Sequence, residues 1–425
     1  CSDLLEALSD IDEPDIRIVC APCMGRCDTA PVAEVGHRHI DRATAASVLA
    51  AARSGHTEPL LPPYPDLAAA RAGGAYAALE ACRSGTKPID AVLATLEATG
   101  LRGMGGAGFP THREPGTFKD RYFLERHPHA VLEGALIGAW AVEAEQAFIY
   151  LRDEYPAARE ILLREIAALE AAGLVAPGYL ELRRGAGAYI CGEESAMIES
   201  IEGKRGLPRN RPPYVAQAGL FGKPTLVNNV ETAYWIREIL TNGGDGFADA
   251  GRHGGKGWRS YSVSGRVREP GVKRAPAGIT LNELVAEYCG GMAVGHTLKG
   301  YLPGGASGGI LPASLADLPL DFGALEKHGC FIGSAAIVVL SQEDDIRDVA
   351  LNLMRFFEDE SCGQCTPCRA GTEKAVSLMD EEIWDTGLLG ELSAVMRDAS
   401  ICGLGQAAPN PLDCLLKYFP DDVPK

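Results

Sequence analysis

The feature that most constrains this chain is a run of three cysteines, Cys362-Gly-Gln-Cys365-Thr-Pro-Cys368, with Cys402 far downstream. Three thiolates in a C-x2-C-x2-C loop can reach three corners of one [4Fe–4S] cubane, and a distant fourth cysteine completes the site. Zinc ribbons and fingers usually supply two separate pairs instead. The spacing predicts a [4Fe–4S] cluster at these four residues, with Cys414 as a competitor for the fourth position and zinc as the alternative metal.

A second, weaker cysteine set lies near the N-terminus, at Cys20, Cys23 and Cys27. A C-x3-C pair suits half of a [2Fe–2S] site. Cys1 is the only further cysteine upstream, so the ligand count reaches four only if Cys1 and Cys20 both serve. The sequence therefore leaves three interpretations open, which are a [2Fe–2S] cluster, a vestigial site without metal, and a thioredoxin-type redox pair that lacks the rest of its pattern.

The overall composition excludes several classes of protein. Thirteen cysteines, an odd number in tight clusters, do not suit a full disulfide framework. The net charge of -17 argues against nucleic acid or anionic lipid as the main partner, because both need clustered Lys and Arg. No secretory signal is visible, and the apolar stretch 130–151 is interrupted by glutamates, so it is interpreted as an amphipathic helix. These features predict a cytoplasmic protein without membrane insertion.

Changes in residue pattern divide the chain into segments. The first is a small α/β unit with a strand predicted at 16–19, and a proline-rich linker follows it. Helical patterns then dominate, including a helix at 90–98 with Asp90 as N-cap, before short β-branched segments and a final helical region. The predicted boundaries are residues 1–57, the linker 58–69, and then 70–250, 251–341 and 342–425.

Two glycine-rich loops offer backbone N–H groups to a phosphate. The first, 101–110, contains a literal G-x-G-x-x-G but follows a helix, so it is not an ordinary Rossmann turn, and a structural turn is the alternative. The second, 185–195, opens a helix with Glu193 and Glu194 in its first turn, where carboxylates can accept from ribose or ribityl hydroxyls. The dense basic run 204–214 could meet nucleotide phosphate, and the adjacent amides Asn228 and Asn229 suit a flavin edge.

Together these motifs resemble one family, the NADH-binding flavoprotein subunit (51 kDa type) of respiratory complex I. Its soluble relatives are the diaphorase subunits of NAD-reducing hydrogenases and NAD-dependent formate dehydrogenases. The matching strings run in order from about residue 70 to 420. They are GxGGAGFP at 103–110, EPGTFKDR at 114–121, GAGAYICGEES at 185–195, GKRGLPR at 203–209, PTLVNNVET at 224–232, PGGASGG at 303–309 and ESCGQCTPCR at 360–369. The wording ESAMIESIEGKRG and the additional N-terminal unit look most similar to the formate dehydrogenase diaphorase.

The resemblance implies a multidomain α/β fold. Residues 1–57 look like part of a thioredoxin-like [2Fe–2S] subunit, 70–250 like a Rossmann-like FMN/NADH-binding domain, 251–341 like a ubiquitin-like β-grasp domain, and 342–425 like a helical bundle that carries the [4Fe–4S] cluster. It also implies the cofactor-binding residues, with Glu194 positioning NADH. They are Gly103, Gly105, Gly106, Ala107, Gly108, Phe109, Tyr189, Gly192, Glu193, Glu194, Tyr214, Val227, Asn228 and Asn229.

One junction departs from the family pattern. After Phe109-Pro110-Thr111 the family continues through Lys-Trp and a strand that ends Asn-x-Asp-Glu, whereas here His112-Arg113 runs directly into Glu114-Pro115. A clean deletion of a core strand beside intact flanks would disrupt the FMN site. We therefore interpret the junction as an omitted segment.

The resemblance implies an NAD(H)-dependent oxidoreductase that exchanges hydride between NAD(H) and FMN and single electrons between FMN and a [4Fe–4S] cluster. We expect it to be the NAD-reducing subunit of a soluble formate dehydrogenase, with complex I or an NAD-reducing hydrogenase as alternatives. The expected partners are a thioredoxin-like [2Fe–2S] subunit and a larger iron–sulfur subunit that carries molybdenum or belongs to a hydrogenase or complex I. A flavin-free iron–sulfur scaffold or electron-relay module is the alternative of another class.

Overall fold

The computed structural model describes residues 2–9, 15–21, 23–104 and 116–423. In these ranges the chain is a mixed α/β protein with three separate sheets and many helices. The helices are α1 (Ser2–Ser9), α2 (Ala45–Ser54), α3 (Leu67–Ala72), α4 (Ala77–Arg83), α5 (Ile89–Thr99), α6 (Lys119–Arg126), α7 (Pro128–Ala141), α8 (Pro156–Ala171), α9 (Glu194–Ile201), α10 (Val230–Asn242), α11 (Asp245–Ala248), α12 (Leu281–Tyr288), α13 (Ile346–Asp359), α14 (Thr366–Met379), α15 (Thr386–Ala399), α16 (Gly403–Ala407) and α17 (Asn410–Tyr418). The strands are β1 (Ala33–Val35), β2 (Arg38–Ile40), β3 (Ala147–Arg152), β4 (Leu180–Gly185), β5 (Trp258–Gly265), β6 (Gly271–Pro276), β7 (Leu298–Leu302), β8 (Leu311–Pro312) and β9 (Ala336–Ser341).

The N-terminal unit is small. It contains α1, the antiparallel hairpin β1–β2 and α2, which starts at a capping box made by Thr44 and Ser47. The strand predicted at 16–19 is wrong, because this segment pairs with no strand among the described residues and Val19 is 63% exposed. Alternating β-branched residues form a strand only where a neighbouring strand completes the hydrogen bonds.

The proline-rich linker lies along α8 in an irregular conformation. The Tyr64 hydroxyl donates to Oε1 of Glu165 at 3.0 Å, and the backbone N–H of Leu67 donates to Oε2 of the same carboxylate at 3.1 Å. One buried glutamate therefore fixes the path of the chain from the N-terminal unit into the next one.

The middle unit is built on α7, α10 and the parallel pair β3–β4, which α8 connects. α7 and α10 approach so closely that a Cβ on Gly134 would lie 1.8 Å from the carbonyl oxygen of Ala233. The long amphipathic helix expected at 130–151 is wrong, because α7 ends at Ala141 and β3 starts at Ala147. The prediction of Asp90 as an N-cap is also wrong, since α5 begins one residue earlier, after Pro88.

The third unit is a five-stranded sheet in the order β6-β5-β9-β7-β8. β5 and β9 are parallel, whereas the other neighbours are antiparallel. α12 lies between β6 and β7 in the chain and begins at a capping box of Thr280 and Glu283. The sheet shares one hydrophobic core with α13–α17, so the C-terminal helices are packed firmly against it. No helix in the described ranges is both long and apolar enough to cross a membrane.

Candidate functional site

Three of the predicted cluster cysteines lie where the loop after α13 enters α14. Gly363 has a φ of +77°, a left-handed conformation that glycine adopts easily and that lets the loop turn back. Cys365 is the N-cap residue of α14, and Pro367 occupies its first turn. The hydroxyl of Ser361 lies 3.3 Å from the sulfur of Cys368. Glycine, proline and the helix start therefore fix the direction of this loop.

Cys402 joins these residues from a different segment. It is the N-cap of α16, and the backbone N–H groups of Leu404 and Gly405 hydrogen-bond to its thiol. Burial raises the pKa of the Cys402 thiol to about 12, and the neighbouring thiols of Cys362 and Cys368 add to this shift. The structure thus brings Cys402 to the C-x2-C-x2-C loop.

α14 and α16 contact each other closely beside these sulfurs. A Cβ on Gly405 would lie 2.8 Å from the Cβ of Cys368, so only glycine allows the observed approach. Burial also raises the pKa of the Cys368 thiol to about 11. Both thiols are neutral in the metal-free protein at pH 7, and metal binding must release their protons. Soft thiolates are the donors of iron–sulfur clusters, so this residue set fits such a group.

Cys414, the competitor for the fourth position, lies elsewhere. Its sulfur is 3.4 Å from that of Cys330, and both residues are buried. Gly309 makes room for this pair, since a Cβ there would lie 2.7 and 2.9 Å from the two sulfurs. Among the described residues, no group of three or more His, Cys, Asp or Glu side chains is placed to hold a single metal ion.

The N-terminal cysteines are arranged differently. Cys20 is exposed, whereas Cys23 and Cys27 are half-buried. A hydrogen bond with Cys27 lowers the pKa of the Cys23 thiol to about 6 and raises that of Cys27, so the two thiols share one proton tightly. The buried guanidinium of Arg152 also lowers the pKa of Cys23. Cys1 lies outside the described residues.

The second glycine loop follows β4 and places the predicted carboxylates at the start of α9. Glu193 is the N-cap, and its Oε2 accepts from the backbone N–H groups of Ser195 at 3.0 Å and Ala196 at 2.9 Å. Arg211, which the sequence indicates only as part of a basic run, forms ion pairs with Glu193 and with Glu194, the latter at 2.8 Å. Gly187 has a φ of +78°, which favours glycine there.

The rest of the basic run is largely occupied by contacts within the protein. Arg209 pairs with Glu199 and Glu202 and donates from Nη1 to the carbonyl of Gly219 at 3.1 Å. Lys204 pairs with the same two carboxylates. This arrangement weakens the interpretation of the whole run as a phosphate site. Tyr214, at the end of the run, is 55% exposed, and a groove of about 540 Å³ lined by Arg209, Pro213 and Phe221, among others, opens near it.

The first glycine loop is described only at its start, because Gly105, Gly106, Ala107, Gly108 and Phe109 lie outside the described residues. Gly103 is exposed. The backbone N–H of Met104 donates to the hydroxyl of Thr232 in α10 at 2.9 Å. The loop therefore starts against the same helix that carries the predicted amides at its N-terminus.

Of the two amides, Asn229 is committed to the protein. Its Oδ1 caps α10 by accepting from the backbone N–H of Glu231 at 2.9 Å, and its Nδ2 donates to Asp120 at 2.8 Å. Asn228 is exposed, as expected for a ligand-binding amide, and Val227 beside it is half-buried. Sequence reasoning missed the role of Asp120, although the motif EPGTFKDR contains this residue.

The loop with the predicted nucleotide-binding residues directly contacts the cysteine loop. The backbone N–H of Tyr189 donates to Oε2 of Glu360 at 2.9 Å, and its ring lies 5.2 Å from that of Phe356. Arg205 donates from Nη2 to the carbonyl oxygen of Cys362 at 2.9 Å. The second glycine loop and the cysteine loop are therefore neighbours in space, although about 170 residues separate them in the chain.

Comparison with known families agrees with this arrangement. Residues 113–238 match the Nuo51 FMN-binding domain, and residues 348–425 match the NADH-ubiquinone oxidoreductase-F iron–sulfur binding region. The first match contains the second glycine loop and the amides, and the second contains all four cysteines of the C-terminal set.

Similar proteins extend these matches over most of the chain. The F 2 subunit of the NADH-quinone oxidoreductase of Rhizobium meliloti (strain 1021) is 38% identical over 384 residues, which cover 82% of this chain and 91% of the relative. The NADP-reducing hydrogenase subunit HndC of Solidesulfovibrio fructosivorans is 36% identical over 366 residues, 78% of this chain and 75% of the relative. A chain of the crystal structure of NAD+-reducing [NiFe]-hydrogenase in the H2-reduced state superposes with a TM-score of 0.84 and 32% identity, over 99% of this chain and 80% of that one. The resemblance inferred from the motifs is thus confirmed, and the chain belongs to the family of NADH-quinone oxidoreductase F subunits, as an NAD(H)-dependent oxidoreductase subunit with FMN and [4Fe–4S] cofactors.

Proposed function

We propose that the chain is the diaphorase subunit of a soluble NAD-dependent formate dehydrogenase. When bound, FMN supplies the exchange of a hydride with NAD(H) and of single electrons with the cluster. The observation that carries the proposal is that the second glycine loop and the basic run both contact the segment of the cysteine loop, through the pairs Tyr189–Glu360 and Arg205–Cys362. Electron exchange needs a short, fixed distance, and these contacts hold the two loops together.

The cluster is assigned to Cys362, Cys365, Cys368 and Cys402. The four thiols come from the C-x2-C-x2-C loop and from the start of α16, and the hydroxyl of Ser361 and the backbone N–H groups after Cys402 support them. Hydrogen bonds to ligand sulfurs and burial tune the reduction potential of such a group.

The flavin is assigned to both glycine loops, including Tyr189, Gly192 and Glu193, and to the segment Val227–Asn229. Glu193 is fixed by the N-terminus of α9 and by Arg211, so its carboxylate is oriented before any ligand binds. Asn228 is the amide that is free to contact the flavin edge, whereas Asn229 acts through the protein. This refines the sequence-based prediction, in which the two amides have the same role.

NADH is assigned to Glu194, Tyr214 and Phe109. The side chain of Glu194 is 31% exposed and Tyr214 is 55% exposed, so both can reach a ligand from solvent. The ion pair with Arg211 holds Glu194 beside the α9 N-terminus. Phe109 lies outside the described residues, and its role stays a prediction. Here the protein binds and orients the nicotinamide, and no side chain acts as a nucleophile.

The proposed domain organisation follows the sequence-based boundaries. The order β6-β5-β9-β7, with α12 between β6 and β7, supports a ubiquitin-like β-grasp unit at 251–341. The parallel pair β3–β4 with α8 between them supports a Rossmann-like unit at 70–250. We further propose a thioredoxin-like origin for 1–57, a linker at 58–69 and a cluster-bearing bundle at 342–425.

Formate as the electron source is supported by the sequence of residues 194–206 and by the additional N-terminal unit. The proposed partners are a thioredoxin-like [2Fe–2S] subunit and a larger molybdenum-containing iron–sulfur subunit, in the cytoplasm. A second candidate is the diaphorase of an NAD-reducing hydrogenase, favoured by the superposition over 99% of this chain. In that case the larger subunit would be a hydrogenase.

Purification of the native complex through a tag on this chain distinguishes these candidates. We expect NAD+ reduction with formate and none with H2, together with molybdenum in the purified complex. Reduction of NAD+ with H2, or coupling of NADH oxidation to a quinone, would contradict formate as the donor. The flavin-free scaffold is tested on the same sample, since a native complex that releases no FMN on denaturation would support it.

A further inference from the structure

Lys119 is buried completely beneath the start of the first glycine loop. Its Nζ donates to the carbonyl oxygen of Met104 at 3.0 Å and to Oε2 of Glu231 at 2.6 Å. Longer contacts of 3.4 Å reach Oδ1 of Asp120 and Oδ1 of Asn229. Lysine is almost never fully buried unless it is paired. Because Lys119 is not on the surface, its charge does not serve solubility, and its position calls for another explanation.

The ammonium group stays charged in this position. Burial alone would lower the pKa of Lys119, but the carboxylates of Asp120 and Glu231 raise it above its ordinary value. Glu231 is itself completely buried and accepts on its other oxygen from Trp235 Nε1 at 3.0 Å. The charged ammonium group of Lys119 is therefore held in a fixed position between the carboxylates of Asp120 and Glu231 inside the protein.

This small network joins segments that are far apart in the chain. The backbone N–H of Ser260 in β5 donates to Oε1 of Glu231 at 2.7 Å. The backbone N–H groups of Phe118 and Lys119 donate to the hydroxyl of Ser262 at 3.1 and 2.9 Å. β5, the start of α6, the start of α10 and the start of the first glycine loop are therefore linked through Lys119 and Glu231.

Two of these segments are the ones assigned to the flavin. Met104 lies between Gly103 and Gly105 in the first loop, and Asn229 ends the Val227–Asn229 segment. Lys119 contacts the backbone of the first and the side chain of the second, but it belongs to neither. Its geometry suits a residue that sets the distance and orientation between them.

We propose that Lys119 is a positioning residue for FMN, which holds the start of the first glycine loop, at Met104, and the Val227–Asn229 segment at the spacing that flavin binding requires. The inference rests on the proposed function, because it assumes that these two segments bind FMN. It goes beyond that function by assigning a role to a side chain that no motif-based reasoning places at the cofactor. A purely structural role, in which Lys119 only stabilises the fold, is the competing explanation.

The test measures FMN affinity and folding separately on the full chain. Lys119→Met is prepared as flavin-free protein and titrated with FMN by fluorescence quenching. We expect the Kd for FMN to rise at least ~10-fold, as for the loss of a hydrogen-bonded charge at a binding site. The melting temperature serves as the folding control for the middle unit, and iron content shows that the cysteine site, which lies in the other core of the protein, is intact.

Since Lys119→Met leaves Glu231 buried without its cation, it can unfold the middle unit. The second variant, Lys119→Met with Glu231→Gln, removes the charge imbalance and keeps the shape. The matched control is Arg237→Met. Arg237 lies further along α10, and this change breaks its ion pair with Glu133 of α7. We expect the melting temperature to fall in the control as well, but FMN affinity to change only in the Lys119 variants.

A midpoint-potential titration of the FMN that remains bound gives an independent readout. Loss of a nearby positive charge makes reduction of the flavin harder, so the potential in Lys119→Met should shift to more negative values, whereas the double variant, in which the net charge is unchanged, should shift less. FMN binding within twofold of wild type in the double variant overturns the inference. A correctly folded wild type that takes up no FMN overturns the proposed flavin site itself, and this inference with it.

Discussion

The two cysteine sets of this protein differ in their spacing in the sequence, and in the structure their surroundings differ as well. The C-terminal set draws on the loop before α14 and on the start of α16, and both helices belong to a large hydrophobic core shared with the sheet. In the N-terminal set, Cys20 is exposed. Cys23 and Cys27 come from a single short loop, and their free thiols form a hydrogen bond with each other. In the described part of that unit, the buried core consists of Leu8, Ala43 and Val48 with a few partly buried neighbours.

The difference shows that the two candidate cluster sites are built in different ways. Cys402 reaches the other C-terminal thiols because Gly405 allows α16 to approach Cys368. At the N-terminus the loop is fixed from outside, since Arg121 in α6 donates from Nε to the carbonyl of Gly25 at 3.0 Å and pairs with Asp28 at 3.2 Å. One site is assembled by converging segments, and the other is a single loop docked onto a neighbour.

The largest effect is expected for Cys402→Ser. Loss of one thiolate ligand should remove the [4Fe–4S] cluster, so iron should fall from about four atoms per chain to a small fraction of that. Iron and sulfide analysis of the anaerobically purified chain measures this. The matched control is Cys414→Ser, because Cys414 is buried beside Cys330 and not beside the loop. Retention of iron in Cys402→Ser, with loss in Cys414→Ser, would reverse the assignment of the fourth ligand.

A smaller effect is expected when the N-terminal unit is released. Arg121→Gln removes a buried cation that contacts Gly25, Asp28 and Glu125, and breaking a buried ion pair costs roughly 3–5 kcal/mol. We expect faster cleavage in the linker 58–66 by a protease of broad specificity, with unchanged iron content. Arg164→Gln, which breaks an exposed pair with Glu160, should leave the cleavage rate unchanged. Equal cleavage in both variants would show that the N-terminal unit does not depend on Arg121.

Local sequence spacing predicted the parts of the candidate site that a single segment builds. The C-x2-C-x2-C loop, the helix after Glu193 and the exposed amide Asn228 are all found from short motifs. Contacts between distant segments are not, because neither spacing nor periodicity reports them. The link from Arg205 to Cys362 and the burial of Lys119 are of this kind. The strand predicted at 16–19 fails for the same reason, since a strand depends on a partner from elsewhere.

A pH-dependent effect of moderate size is expected at His39, in the N-terminal unit. Its side chain is 5% exposed, and its Nε2 has no hydrogen-bond partner among the described residues. Burial, together with the guanidinium groups of Arg26 and Arg121, lowers the pKa of His39 to about 3, although Asp41 opposes the shift. Glu34, at 3.8 Å, is the other charged group that faces the ring.

The sign of the effect follows from this pKa. The unfolded state takes up a proton near pH 6.5, but the folded state does so only near pH 3, so folding is favoured above 6.5 and loses about 1.4 kcal/mol per pH unit as the pH falls between these values. The protection factors of β2 and α2 in amide hydrogen exchange, which are corrected for the intrinsic pH dependence of exchange, should therefore fall from pH 7 to about pH 5. His39→Phe should remove this loss of protection, while His37→Gln, at an exposed position, should keep it. An unchanged pH profile in His39→Phe would contradict this explanation.

The smallest effect is expected for the double variant Cys23→Ser with Cys27→Ser, and it tests the comparison most directly. If the N-terminal site carries no cluster, iron should stay at about four atoms per chain, and the absorption and electron paramagnetic resonance spectra should be unchanged. The physical reason is that these two thiols hydrogen-bond to each other. The third described cysteine of the N-terminal set, Cys20, is exposed and lies in the same irregular segment. If the wild type instead shows a [2Fe–2S] spectrum, and the double variant loses that spectrum together with about two iron atoms, Cys1 and Cys20 complete a cluster site. A single docked loop would then hold a cluster without ligands from separate helices.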